Sequence, residues 1–197
     1  SPESVMDLDI RRIGEKGFIE YFKEIEEANL SDTFWEIGLV QDLETSAINS
    51  PFFNVFLAAQ VHVSDNSLMM NGTKVRDLIT TMGDIHHIFP KGYLQKNGIT
   101  EKSKYNQIAN YTYLDTQTNI SIGEKAPNEY FSTVFEQCVS KALKYGNITD
   151  EALLNENLRA NCIPENIVSM DIMNYEDFLL ERRKLMAKKI KDYYYSL

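Results

Sequence analysis

Two imidazoles stand side by side in Asp84-Ile-His-His-Ile-Phe-Pro90. Ile85 to Phe89 reads as a short strand, ended by Pro90, which cannot donate to a ladder. Neighbours on a strand point to opposite faces, so one metal ion cannot easily take both His86 and His87. The pair therefore suits a division of labour, with one ring binding metal and the other acting as a base. A histidine with an ordinary pKa of about 6.5 can take a proton from water near neutral pH. Such a base is typically worth about 10²- to 10⁴-fold in rate. A metal beside a scissile phosphate stabilises charge developing on the phosphoryl and leaving oxygens. Taken alone, the pair is equally well read as structural. The third histidine, His62, follows an apolar run by itself and is given no role.

What moves the reading is the stretch downstream. Tyr111-Thr-Tyr-Leu114 is aromatic and β-branched with alternation, and reads as a second strand. Asp115-Thr-Gln-Thr-Asn-Ile120 reads as a short helix with Asp115 as its cap. Strand, loop, strand and helix then follow one another within residues 82 to 123, the order of a ββα unit. Two asparagines fall at telling places. Asn119, early in the helix, can aim its carbonyl oxygen at a cation, and Asn110, in the connection, can tie backbone groups together through its amide. Singly, each is an ordinary cap or turn residue.

His86-His-Ile-Phe-Pro90, then Asn106-Gln-Ile-Ala-Asn110-Tyr-Thr-Tyr-Leu-Asp115, Asn119 and Ala126-Pro-Asn-Glu-Tyr130 together resemble the HNH domain of GmrSD-type restriction endonucleases. The likeness is strong over residues 80 to 135 and looser in the flanking helices. The motif order also resembles, over far less of the chain, the HNH domain of RNA-guided CRISPR nucleases. The resemblance implies a metal-dependent endonuclease hydrolysing phosphodiester bonds in DNA, in the restriction of phage. It implies His87 as general base, His86 and Asn119 as metal ligands, and Asn110 as the residue that holds the loop. The expected ion is Mg²⁺, with Mn²⁺, Ni²⁺ or Zn²⁺ possible because imidazole favours them. Asp84 lies two residues before His86, on the same strand face, and is expected either to orient that ring or to be a solvated strand-end charge. GmrSD-like proteins also carry an N-terminal nucleotide-handling domain with a DGQQR-like signature, which is absent here. The chain, beginning at Ser1, is therefore expected to be the C-terminal part of a longer protein whose missing domain is a partner in the same polypeptide.

The elements that must position this site read as mainly α-helical, giving an α+β domain with the ββα-metal motif inserted. Residues 1 to 81 form a helical N-terminal part, 82 to 123 the motif and 124 to 197 the C-terminal helices, in one compact domain. Phe18, Ile19, Phe22 and Ile25 recur at helical spacing and predict a core-facing stripe. Thr33-Phe-Trp-Glu36 has the spacing of a capping box. Pro51 and Pro127 sit where the first turn of a helix accepts proline. From about Asn174, Phe178, Leu179, Leu185, Met186, Ile190 and Tyr194 share a face. Arg182 and Lys189 fall within that stripe and are expected to lay their stems on it and keep their charges in water. Arg183 is expected on the charged side.

A hydrophobic fraction of 43% and a charged fraction of 25% are those of a globular chain. The net charge of −9 excludes a surface that is basic all over. Contact with DNA must then use a local patch or a partner. Lys91, Lys96, Lys102 and Lys104 lie nearest the motif and are candidates for contacts to phosphate, each as readily a plain solvated lysine. Cys138 and Cys162 form no CxxC pair and predict buried structural thiols in a reducing cytoplasm. No apolar run approaches the ~18 residues needed to span a bilayer. Two other readings stay open. One is a degenerate ββα module that binds nucleic acid or a protein without cutting. The other is an all-helical interaction domain with incidental histidines.

Overall fold

The computed structural model describes residues 1–81 and 85–197. Its contacts divide the chain into two units, Ser1–Leu39 and Val40–Leu197.

The first unit contains α1 (Pro2–Lys16) and α2 (Phe18–Asn29), joined at Gly17, followed by a wide π turn over Phe34–Gly38. Ser1 caps α1 through its hydroxyl, and Pro2 occupies the first turn. α2 folds back on α1 through polar pairs: Tyr21 Oη donates to Asp9 Oδ1 at 2.6 Å, and Lys16 Nζ meets Glu24 Oε1 at 2.6 Å. The expected core stripe of α2 is not buried. Phe18, Ile19, Phe22 and Ile25 are 42–67% exposed, because the described residues of this unit offer α2 one neighbouring helix, met through charged and hydroxyl groups. The capping box at Thr33 is likewise corrected. Thr33 is already helical, and Ser31 does the capping, its Oγ accepting from Phe34 N at 3.3 Å. This unit holds ten of the 29 acidic residues and only four of the 20 Lys and Arg, so most of the net negative charge lies here.

The second unit is mainly helical around one two-stranded antiparallel sheet. In chain order it comprises α3 (Leu39–Asp42, across the boundary), α4 (Pro51–His62), α5 (Val75–Thr80) and β1 (Ile85–His87). After them come α6 (Lys91–Lys96), α7 (Lys102–Tyr105), β2 (Tyr111–Tyr113) and α8 (Thr116–Ile122). α9 (Pro127–Ser140), α10 (Glu151–Ala160) and α11 (Tyr175–Tyr194) complete it. Ser50 caps α4, Pro127 opens α9, and Asp115 caps α8 with Oδ2 accepting from Thr118 N at 2.9 Å. In the sheet, Ile85 pairs with Tyr113, His86 with Thr112 and His87 with Tyr111. The ββα order is therefore present between Ile85 and Ile122, with α6 and α7 in the connection that reads from sequence as a loop.

β1 stops two residues short of the expected strand because Phe89 turns into the core. Its ring packs on Phe178 at 4.8 Å and Tyr175 at 5.1 Å, both from α11. α11 thus supports the sheet from beneath, and it also packs on α4. Here the sequence reading of the basic residues fails. Arg182 does not reach water: it is fully buried, and its guanidinium donates to Ala109 O (2.8 Å), Tyr111 O (2.7 Å) and Asn161 O (3.3 Å). Arg183 is buried too and pairs with Glu44 at 3.3 Å. Lys189 is largely enclosed, with its ammonium on Asp65 at 2.6 Å and on Ala160 O at 3.0 Å. An apolar stripe with arginine inside it admits two outcomes, snorkelling or burial. Only the presence of backbone carbonyls opposite, which a helical wheel does not contain, selects burial. The two cysteines are free and buried, as expected.

Candidate functional site

His86 and His87 leave β1 on opposite sides, as strand geometry requires. His86 is buried at 3% exposure and turns towards α8, where its Nδ1 lies 2.7 Å from Asn119 Oδ1. They stand 33 positions apart in the chain; the β1–β2 pairing closes the segment between them, and Asp115 fixes where α8 begins. Gly123 ends α8 at φ 60°, ψ −117°, a backbone conformation that side chains disfavour, so Asn119 is held on a helix of two turns. Tyr130 closes the other side, its ring edge-on to His86 at 6.2 Å and its hydroxyl donating to Ile88 O at 2.7 Å. Burial lowers the His86 pKa to about 4, against the opposing bond from Asn119, so the ring is neutral at physiological pH.

His87 occupies the other side, half-buried. Its ring meets Tyr111 edge-on at 5.0 Å and lies 6.4 Å from Tyr105. Nε2 is 2.9 Å from Asn106 Oδ1. Burial first, and then the charge of Lys91, move its pKa below the ordinary value, while the Asn106 bond pulls the other way. A neutral imidazole at neutral pH is the form that can accept a proton.

Asn110 is fully buried and clamps the connection between the strands. Its Oδ1 accepts from Phe89 N at 2.8 Å, and its Nδ2 donates to Phe89 O at 3.0 Å and to Tyr105 O at 3.3 Å. Replacing Asn110 with alanine leaves these buried backbone groups without partners, at about 1–3 kcal/mol for each group stranded. Urea unfolding of Asn110→Ala is expected to show a loss of at least about 2 kcal/mol; a change within about 0.5 kcal/mol would mean that the clamp contributes nothing.

Of the four lysines, Lys91 is the one whose charge acts on His87, and its ammonium lies 5.3 Å from the centre of the Tyr105 ring. Lys96 is paired with Glu124, Lys104 with Glu101 at 2.9 Å, and Lys102 is exposed. Asp84 lies outside the described residues. Sequence reasoning assigned no part to Asn106, Tyr130 or Arg182. Asn106 and Tyr130 stood in the quoted motif and were legible as polar groups four residues before Asn110 and three after Pro127. Arg182 had no signal beyond its place in an apolar stripe.

Comparison with known proteins adds little beyond this geometry. No family model matches the chain, and no solved structure matches it. An uncharacterized protein of Methanocaldococcus jannaschii is 31% identical over 119 residues, which cover 53% of this chain and 20% of that protein. The chain thus spans about a fifth of the length of the relative it matches.

The donor set can be weighed for a cation directly. His86 Nδ1 and Asn119 Oδ1 converge at 2.7 Å. Oδ1 only accepts, so the hydrogen of this contact lies on Nδ1. Adjacent ligand atoms of an octahedral ion with bonds of about 2.1 Å lie about 3 Å apart, so the pair would match two neighbouring positions once that hydrogen is on Nε2 instead. Both donors are neutral, and no cluster of three or more His, Cys, Asp or Glu occurs among the described residues. Asp115 is committed to capping α8 through Oδ2. No helix among the described residues is long and apolar enough to cross a membrane.

Proposed function

We propose that this chain carries an HNH-type, metal-dependent nuclease site that hydrolyses phosphodiester bonds in DNA, as in GmrSD-type restriction of phage. The observation that carries the proposal is the meeting of His86 and Asn119 at 2.7 Å across a strand–strand–helix unit, with the neighbouring His87 held separately on the opposite side. His86 and Asn119 would hold the divalent ion, Mg²⁺ or a nitrogen-tolerant substitute such as Mn²⁺, Ni²⁺ or Zn²⁺. When bound, that ion supplies positive charge beside the developing phosphoryl charge. His87 removes the proton from the attacking water, and Asn110 keeps the β1 exit and the loop before β2 in register. Lys91 is the lysine best placed for a phosphate oxygen. The near balance of charge in the second unit, with most of the net negative charge in the first, suits DNA capture shared with an N-terminal domain of the same protein. Free buried thiols suit a cytoplasmic setting.

Plasmid nicking in Mg²⁺ or Mn²⁺ tests the proposal. Metal-dependent nicking abolished by a chelator is expected. The two metal donors bond each other and are both neutral, which favours a second reading, a ββα module that binds nucleic acid or a protein without cutting. Binding to DNA without nicking in either metal selects it.

A neutral donor pair also sets the affinity. Magnesium favours anionic oxygen and gives up water reluctantly, so the DNA-free protein is expected to bind it weakly and the phosphate to complete the site. Calorimetry on the free protein is expected to show no tight Mg²⁺ binding. Submicromolar affinity would make a carboxylate a direct ligand and the ligand set of His86 and Asn119 incomplete.

A further inference from the structure

Within this nuclease reading, on which the inference rests, we propose that Asn106 is the positioning residue of His87. It holds the ring through Nε2 and leaves Nδ1 as the nitrogen that takes the proton. Asn106 Oδ1 can only accept, so at 2.9 Å the hydrogen of this contact belongs to Nε2 of the imidazole. A neutral ring with hydrogen on Nε2 has its lone pair on Nδ1, and Nδ1 has no hydrogen-bond partner among the described residues. The acceptor is itself fixed. Asn106 N donates to Lys102 O at 2.9 Å, the neighbouring Tyr105 is 3% exposed, and the Tyr105 carbonyl is tied to the Asn110 clamp at 3.3 Å. Tyr111, edge-on at 5.0 Å, limits rotation of the ring. One buried asparagine thereby sets both the loop and, through Asn106, the base.

The step balances as follows. Water oxygen forms the new bond to phosphorus while its proton passes to Nδ1. The bond from phosphorus to the leaving sugar oxygen breaks, and that oxygen takes a proton from water. The imidazolium, still donating from Nε2 to Asn106, returns its proton to solvent.

Nitrogen-15 NMR of the histidines tests the assignment without any reference to cutting. The wild-type protein is expected to show His87 as the Nε2–H tautomer, its proton exchanging at least about tenfold more slowly than in Asn106→Ala. An Nδ1–H tautomer in the wild type, or equal exchange in the variant, overturns the proposal. Nicking supplies the second arm, measured at about pH 8 so that His87 stays neutral. Asn106→Ala is expected to lower kcat at least about tenfold with KM little changed. Asn106→Asp keeps an acceptor but has no N–H to donate, and is expected to stay within about threefold of wild type. An aspartate variant as slow as the alanine variant overturns the acceptor role. A wild-type protein that fails to nick removes the nuclease reading, while the tautomer and exchange data still decide what Asn106 does to the ring.

Discussion

Replacing Arg182 with leucine is expected to remove about 3–5 kcal/mol of folding stability, the range found when one side of a buried charged contact is deleted. Arg182 is fully buried in α11, and its guanidinium supplies hydrogen bonds to the carbonyls of Ala109, Tyr111 and Asn161. No carboxylate partners it among the described residues, so the backbone carbonyls alone compensate its desolvation. Burial lowers its pKa only to about 10, so the group is still charged at neutral pH. Two of the three carbonyls flank Asn110, and the loss therefore falls on the same loop that the Asn110 clamp holds. A typical domain has about 5–15 kcal/mol in all, so the variant loses a large share of its stability. Arg182→Lys is expected to recover little, because a single ammonium on a flexible stem does not reproduce a planar fork reaching separate carbonyls. Urea unfolding of both variants checks this. A cost below about 1 kcal/mol for the leucine variant would show that the buried guanidinium is dispensable to the sheet.

His87→Ala is expected to leave the chain folded and lower nicking by at least about 10²-fold. The side chain is half-buried and makes one hydrogen bond among the described residues, to Asn106, so its removal belongs among modest destabilisations of about 1 kcal/mol. On the proposed nuclease reading the loss of nicking is larger, because a positioned base would be removed from the transition state while His86 and Asn119 would still hold the metal. The pH dependence has a definite sign. As the proposed base, His87 would work deprotonated, and burial together with Lys91 holds its pKa below the usual histidine value. The rate is therefore expected to persist as pH falls through about 6.5 and to decline only below it. Near-wild-type nicking by His87→Ala, with circular dichroism confirming the fold, would take His87 out of the mechanism.

Much of the site was legible because it is written in local rules. Strand alternation separates His86 from His87 whatever surrounds them. Asp115 before Thr116 and proline at positions 51 and 127 specify helix starts within a few residues of chain. The order of strand, loop, strand and helix follows from those signals, and with it the expectation that Asn110 and Asn119 return to the histidines.

What the sequence alone left open depends on partners distant along the chain. Residues 86 and 119 meet because β1 and β2 pair, and Asn106 reaches His87 because α7 ends where its carbonyl faces the ring. The apolar spacing of Phe18, Ile19, Phe22 and Ile25 predicted a buried face, yet periodicity specifies only which residues share a side. Burial also needs an apolar neighbour, and α1 meets α2 through Asp9, Lys16, Glu24 and Tyr21. Arg182 is the reverse case. A charge within an apolar stripe reads as a side chain that escapes to water, because desolvating a guanidinium is costly. Folding brings three carbonyls from two distant segments against it, and tertiary structure makes the core the place where its hydrogen bonds are met.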